Sequence, residues 1–412
     1  MTAPRGILLL LPALALTSCR SGTKSDRSLL QVGVPTPICT ATGNQSSPAV
    51  SGNTVVWMDC RNGEYHLAPG RGAVNPDTYG RDLGTGKEFP ICTDRGDQHG
   101  PAISGAIVVW RDDRRGNPDI YGYDLAKHSE FPVCTDPLPT PAVAASFASF
   151  LTRFPVAEER STATTRWAVD PAPQSGATVR PVLSLSIAEH TQACPAVAGK
   201  TVVWQDNRNG TFDWDIFGCD LGTGRRFSVS RRGRAQQCPA IHGNTVVWDE
   251  SSADILRPTH SSIQGYDLQT GRQFPVAEGA AHQEDPAIWG STAVWLQCDP
   301  RHLDLDDPRD IRGCDLRTKQ PFTVCSGTAT WGRPAVCGDV VVWCDNRNGN
   351  WDIYGYDLRT KQEFPIATTP DREGEPAISG DMVVWCVWPN DKEEEADIWG
   401  MRLPPRATSA AR

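Results

Sequence analysis

The chain has 412 residues, 22% of them charged, and a formal net charge of −9. That acidic balance excludes the basic footprint of a nucleic-acid or anionic-membrane binder. Gly 37, Pro 33 and Trp 14, with no long 3.6-residue periodicity, disfavour helical folds and predict many short strands joined by turns.

The N-terminus reads as a targeting segment. Arg5 precedes an apolar run from Ile7 to Leu16, too short to span a bilayer and of the length of a signal h-region. Leu16-Thr17-Ser18-Cys19 resembles the bacterial lipoprotein signal box, which implies that Cys19 becomes the lipid-modified first residue of the mature chain. Cleavage of an ordinary signal peptide near Ser18 is the alternative. Residues 1–19 are therefore expected to be a signal peptide, and the small, polar residues 20–33 a flexible tether. Residues 34–403 are expected to fold, and 404–412 to form a disordered tail. The expected location is the cell envelope, lipid-anchored in the periplasm or at the cell surface, with the anchor as the sole membrane contact.

From residue 48 onward one phrase recurs: PAVSGNTVVW (48–57), PAISGAIVVW (101–110), PAVAGKTVVW (195–204), PAIHGNTVVW (239–248), PAIWGSTAVW (286–295), PAVCGDVVVW (334–343) and PAISGDMVVW (376–385). The gap from Trp110 to Trp204 is about twice the usual interval. Within it PAVAASFASF (141–150) reads as a decayed eighth copy, with Phe150 in the tryptophan place. Each unit carries a short PA segment, a Gly turn, an apolar strand ending in Trp, a polar loop such as DNRNGNWD (345–352), a strand such as IYGYDL (353–358), and a last strand such as EFPIC (88–92). The interval from Leu83 to Phe89 repeats from Leu221 to Phe227, Leu268 to Phe274 and Leu358 to Phe364, which fixes a hairpin register. Four antiparallel strands per unit, stacked radially, predict an eight-bladed β-propeller, with seven blades as the alternative if 136–190 is an insertion. VPTPICT (34–40) matches a fourth strand and ADIWGMRL (396–403) a third, so the N-terminal strand should close the last blade.

The pattern VVWxDxRNGxxDIYGYDLxTG resembles the repeats of the TolB-type, WD-like propeller family of bacterial periplasmic and surface proteins. The resemblance covers most of residues 34–403 and implies the fold; the N-terminal α/β domain of TolB itself has no counterpart here.

In such a strand order the loops joining strands two and three share a face with the connections between blades, and sequence variety concentrates there. The Asp-Arg-Asn-Gly loops at Asp59, Asp206 and Asp345 read as local turn chemistry, since Arg stands where a calcium ligand would. Asp304-Leu305-Asp306-Asp307 reads as a solvated loop, and no metal is expected. Gln recurs three residues before the PA proline, at Gln45, Gln98, Gln192, Gln236 and Gln283, positions expected near the mouth of the central channel. Trp331 and Glu373 break that series. The candidate ligand contacts are Gln98, His99, Gln192, Gln283, Trp331 and Glu373.

The histidines are scattered, and HExxH, paired CxxC, GxSxG and Walker patterns are absent, so no catalytic residue and no cofactor is expected. Cys39, Cys92, Cys134 and Cys325 share one repeat position, Cys219 and Cys314 another, Cys194 and Cys238 a third. Equivalent positions in different blades should lie beyond the ~7 Å reach of a disulfide, so these cysteines read as small apolar fillers. Bridges between non-equivalent positions stay open.

The functional expectation is a non-enzymatic, monomeric, envelope-anchored propeller binding a protein or glycan through its loop-rich face. The alternatives are a polysaccharide lyase or glycoside hydrolase acting at the central channel, and an accessory module with no ligand of its own.

Overall fold

The structure, a computed structural model, describes residues 32–62, 75–135, 191–210, 213–231, 234–251, 260–301, 307–330, 332–391 and 395–405. Cys19, the signal segment, the tether, Phe150, Trp331 and most of the C-terminal tail lie outside these residues.

Among the described residues the chain forms seven four-stranded antiparallel sheets, six of them with their strands in sequence order. Blades 1 to 6 span 45–92, 98–134, 192–230, 236–277, 282–329 and 335–367. Blade 7 takes three strands from 372–402, and its fourth is the first strand of the fold, Thr36–Cys39, paired antiparallel with Asp397–Arg402. The two ends of the fold therefore share one blade, and neither leaves an open edge.

The count is seven, not eight, and the junction between blades 2 and 3 gives the reason. Gly199 of blade 3 donates its N–H to Ser104 Oγ of blade 2 at 3.0 Å, Arg226 Nε reaches the Val133 carbonyl at 3.2 Å, and Gln192 N–H reaches the Pro118 carbonyl at 3.2 Å. One core cluster joins Val109, Ile120 and Val133 of blade 2 to Val202, Trp204 and Phe217 of blade 3. Blades 1 and 2 are joined in the same way, through Gly105 N–H to Ser51 Oγ and Gln98 N–H to the Pro76 carbonyl. With blades 2 and 3 in direct contact, residues 136–190 supply no blade between them.

Each blade buries the recurring phrase. Trp57, Trp110, Trp204, Trp248, Trp343 and Trp385 are fully buried, as are Ile120, Ile216, Ile263, Ile311 and Ile353 on the neighbouring strands. Truncating a side chain of that size in a packed core costs roughly 3–5 kcal/mol. The glycine of the third strand makes room for the phenylalanine of the fourth. A Cβ at Gly218 would lie 2.6 Å from the Phe227 ring, and one at Gly313 2.3 Å from that of Phe322. This contact is the physical source of the constant Leu-to-Phe interval.

The Asp-x-Arg loops bind the blades together. Asp112 accepts from Trp110 Nε1 at 2.8 Å and from Arg114 Nε at 2.8 Å, and the guanidinium sits 4.3 Å over Tyr121. Arg61, Arg208 and Arg347 repeat this arrangement over Tyr79, Phe217 and Tyr354. Each guanidinium also donates to a thiol of the blade before it: Arg61 to Cys39 at 3.2 Å, Arg114 to Cys92 at 3.0 Å, Arg208 to Cys134 at 3.5 Å and Arg347 to Cys325 at 3.3 Å. These cysteines fill the apolar junctions between blades, as expected, and also accept a hydrogen bond there.

Candidate functional site

The residues facing the ring axis are those immediately before the recurring proline. Ser47, Cys194, Cys238, Asp285 and Glu375 take φ near +50°, Gly100 takes +55°, and in blade 6 Gly332 takes +75° just ahead of Arg333. In the six blades other than blade 6 the first strand loses register at this point, for example between Ala193 and Ala196, which marks a β-bulge. Proline follows and has no N–H to donate, while the N–H groups of Ser47 and Cys238 find side-chain acceptors, Glu375 Oε2 at 2.6 Å and Gln205 Oε1 at 2.8 Å. The left-handed backbone turns the side chain out of the sheet toward the axis, at a cost of roughly 1 kcal/mol per residue.

Four consecutive blades converge there. Cys194 of blade 3 adjoins Cys238 of blade 4, and Asp285 of blade 5 adjoins Cys238. Arg333 of blade 6 crosses past blade 5 to donate to the Cys238 carbonyl at 2.9 Å and the Pro239 carbonyl at 3.5 Å. Asp249, on the second strand of blade 4, is buried beside them. Burial first, then the charges of Asp285 and Glu284, push the Asp249 carboxyl far above the usual carboxylate range. Burial likewise raises Asp285, against the pull of Arg333. Burial also opposes ionisation of Glu284, but His282 at 3.2 Å and Arg309 at 3.3 Å outweigh it and hold its carboxyl below the usual range.

Beside this axial cluster the loop-rich face carries two adjoining clefts, of ≈ 640 and ≈ 520 Å³, which share His260. Arg234, Glu250, Ser261, Ser262, Gln264 and Glu278 line the larger; Gln297, Asp299, Arg301 and Asp310 supply the polar groups of the smaller. Both lie on blades 4 and 5, where the repeat departs from its pattern. Glu250 and Gln297, like Val387 in blade 7, replace the aspartate that accepts from the buried Trp in blades 1, 2, 3 and 6, and Trp248, Trp295 and Trp385 have no partner for their indole N–H. The large exposed hydrophobics among the described residues, Val32, Val34 and Trp289, line neither cleft.

The residues expected to contact ligand are placed differently. Gln98 is fully buried and its amide donates to the carbonyls of Asp94, at 3.2 Å, and Gly96. Gln192 is fully buried where blade 3 meets blade 2. Gln283 is buried, and its Oε1 accepts from Ile263 N–H at 3.3 Å. Glu373 is fully buried and accepts from Thr369. His99 is partly exposed, 3.7 Å from Asp97. The structure does not gather these five into one site. The signal for the axial ring was the varied residue just before each recurring proline: Ser47, Gly100, Cys194, Cys238, Asp285, Arg333 and Glu375.

Among the described residues, one acid and thiol group has the spacing of a single-ion site, Cys92, Asp94 and Glu130. The Arg114 guanidinium bonds all three, so a cation already occupies their centre.

A seven-bladed β-propeller is the class the fold defines. No family model matches the chain, and no curated protein matches it. Among solved structures it is similar to oligogalacturonate lyase from Vibrio parahaemolyticus, 12% identical, with a TM-score of 0.56 over 90% of this chain and 93% of that one. The β-propeller domain of the Trilobed protease from Pyrococcus furiosus is 11% identical, with a TM-score of 0.55 over 88% and 96%. TolB from Acinetobacter baumannii is 12% identical, with a TM-score of 0.45 over 73% and 62%. At these identities the likeness is one of fold.

Proposed function

We propose that this chain is an exported, envelope-anchored binding propeller that takes a glycan in the paired clefts over blades 4 and 5. The observation that carries the reading is the pair of adjoining clefts sharing His260. Their linings mix Arg, Glu, Asp, Ser and Gln, a set of donors and acceptors that suits a hydroxyl-rich ligand. A stable protein partner would call for aromatic anchors, and no Phe, Tyr or Trp lines either cleft. The N-terminal apolar run and the Leu16-to-Cys19 box support export and anchoring.

A second reading, a polysaccharide lyase or glycoside hydrolase, is favoured by one specific observation. Asp249 is held toward its neutral form while Glu284, in the same cluster, is held ionised, the division of labour that acid–base chemistry requires. The oligogalacturonate lyase fold likeness is compatible with this reading. A polysaccharide and oligosaccharide array, with product analysis on every hit, tests both. Saturable binding without product, weakened at least tenfold by His260→Ala, supports the binding reading. Product release abolished by Asp249→Asn overturns it in favour of the enzyme.

A further inference from the structure

We infer that Cys194 and Cys238 form a redox-active dithiol on the ring axis, a site of thiol–disulfide exchange. Three observations independent of the clefts carry it. The two thiols adjoin one another on packed innermost strands of neighbouring blades, although they lie 44 positions apart in the sequence. Their expected distance failed for a geometric reason. Equivalent positions are far apart at the rim of a propeller, but bulges on adjacent innermost strands converge at its axis. Both residues sit at the same bulge position, φ +50° and +51°.

Access singles out the same pair. Of the 13 described cysteines, 11 are buried; Cys194 is exposed and Cys238 half-buried, so these are the thiols an oxidant reaches. The charge around them favours a thiolate over a bound metal ion. Arg333 is bonded to the Cys238 carbonyl at 2.9 Å and adjoins both sulfurs, while Arg111 adds a second cation near Cys194. The neighbouring Cys238 thiol, then Arg333, lowers the Cys194 thiol. Cys194, the more exposed of the two, is the attacking thiolate and Cys238 the resolving thiol.

The co-reactant is a small-molecule disulfide. The Cys194 thiolate attacks one sulfur, the S–S bond of the reagent breaks, and one thiolate leaves and takes a proton from solvent. Cys238 then loses its proton, attacks Cys194 Sγ and releases the second thiol. Two electrons pass from the protein dithiol to the reagent, which ends as two thiols.

The test treats the reduced full-length protein with glutathione disulfide, quenches with an alkylating agent and maps peptides without reduction. The expected product is one peptide pair linked through Cys194 and Cys238, with the buried cysteines alkylated only after unfolding. Cys238→Ser should stop at a glutathione adduct on Cys194, and Cys194→Ser should leave Cys238 at least tenfold slower to react. Arg333→Gln should slow linkage severalfold. Recovery of both wild-type thiols alkylated and unlinked, or a persistent adduct on wild-type Cys194, would overturn the assignment.

Discussion

The guanidinium of Arg114 lies 3.0 Å from the Cys92 thiol of the preceding blade, while its Nε bonds Asp112 of its own loop at 2.8 Å. Asp112 is fully buried, so its charge depends on this cation and on the Trp110 indole. Removing one member of a buried pair leaves the other uncompensated. Arg114→Met should therefore cost about 3 kcal/mol of unfolding free energy. Cys92→Ala should cost only about 1 kcal/mol, since a weak acceptor and a small volume are lost. Urea unfolding of the two variants checks the order; equal losses would contradict it.

The Gly313–Phe322 contact yields a second expectation. A methyl group at Gly313 would stand 2.3 Å from the Phe322 ring and 3.0 Å from the Ala293 carbonyl, so the strand pair has to shift. Gly313→Ala should destabilise by roughly 1–3 kcal/mol. Adding Phe322→Leu should recover part of that loss, because the ring is the closest obstacle. Thermal melts of the single and double variants decide it, and additive losses would refute the contact as the cause.

Blades 2 and 3 complete their junction without residues 136–190. Elsewhere five residues, 93–97, suffice to connect Cys92 to Gln98 across a blade boundary. Replacing 136–190 with a linker of that length should leave the circular dichroism spectrum β-rich and the melting midpoint within a few degrees of wild type. Loss of cooperative unfolding would mean that the segment belongs to the ring after all.

Glu373 gives a pH dependence with a definite sign. Burial, only partly offset by hydrogen bonds from Thr369, pushes its carboxyl up from 4.5 to about 7. The folded state thus binds this proton more tightly than the unfolded chain does. The contribution to stability is greatest below 4.5, declines as pH rises to about 7 and is level above that. Glu373→Gln places at this position the residue found in five other blades and should remove the decline. At pH ~8 it should be more stable than wild type by on the order of 2 kcal/mol. Melting curves from pH ~4 to ~8 test the slope, and parallel profiles for the two proteins would refute it.

Much of the fold was legible because each blade repeats its own contacts. The Gly-to-Phe packing and the Trp–Asp–Arg set impose spacings that survive in the sequence. The eighth blade was misread because Phe150 can stand for a Trp, but Ala145 cannot stand for the turn glycine. All seven true copies carry glycine there with φ of 57° to 61°, as at Gly52 and Gly380, a backbone that alanine adopts only under strain. The axial cluster was harder to see. Cys194, Cys238, Asp285 and Arg333 are separated by 44, 47 and 48 residues, and only the ring brings them together. The Gln series drew attention because it repeats, yet repetition here marks the junctions. Where Ser, Gly, Cys, Asp, Arg and Glu alternate in one place, the junction imposes nothing and the residue is left to face the channel.

The central functional claim, glycan capture by blades 4 and 5, is tested most directly by calorimetric titration of the array's best glycan into wild type, His260→Ala and Glu250→Gln. Wild type should bind saturably at 1:1 and both variants at least tenfold more weakly, with melting midpoints little changed. Equal affinity in all three proteins would place the ligand elsewhere and contradict the assignment of the clefts.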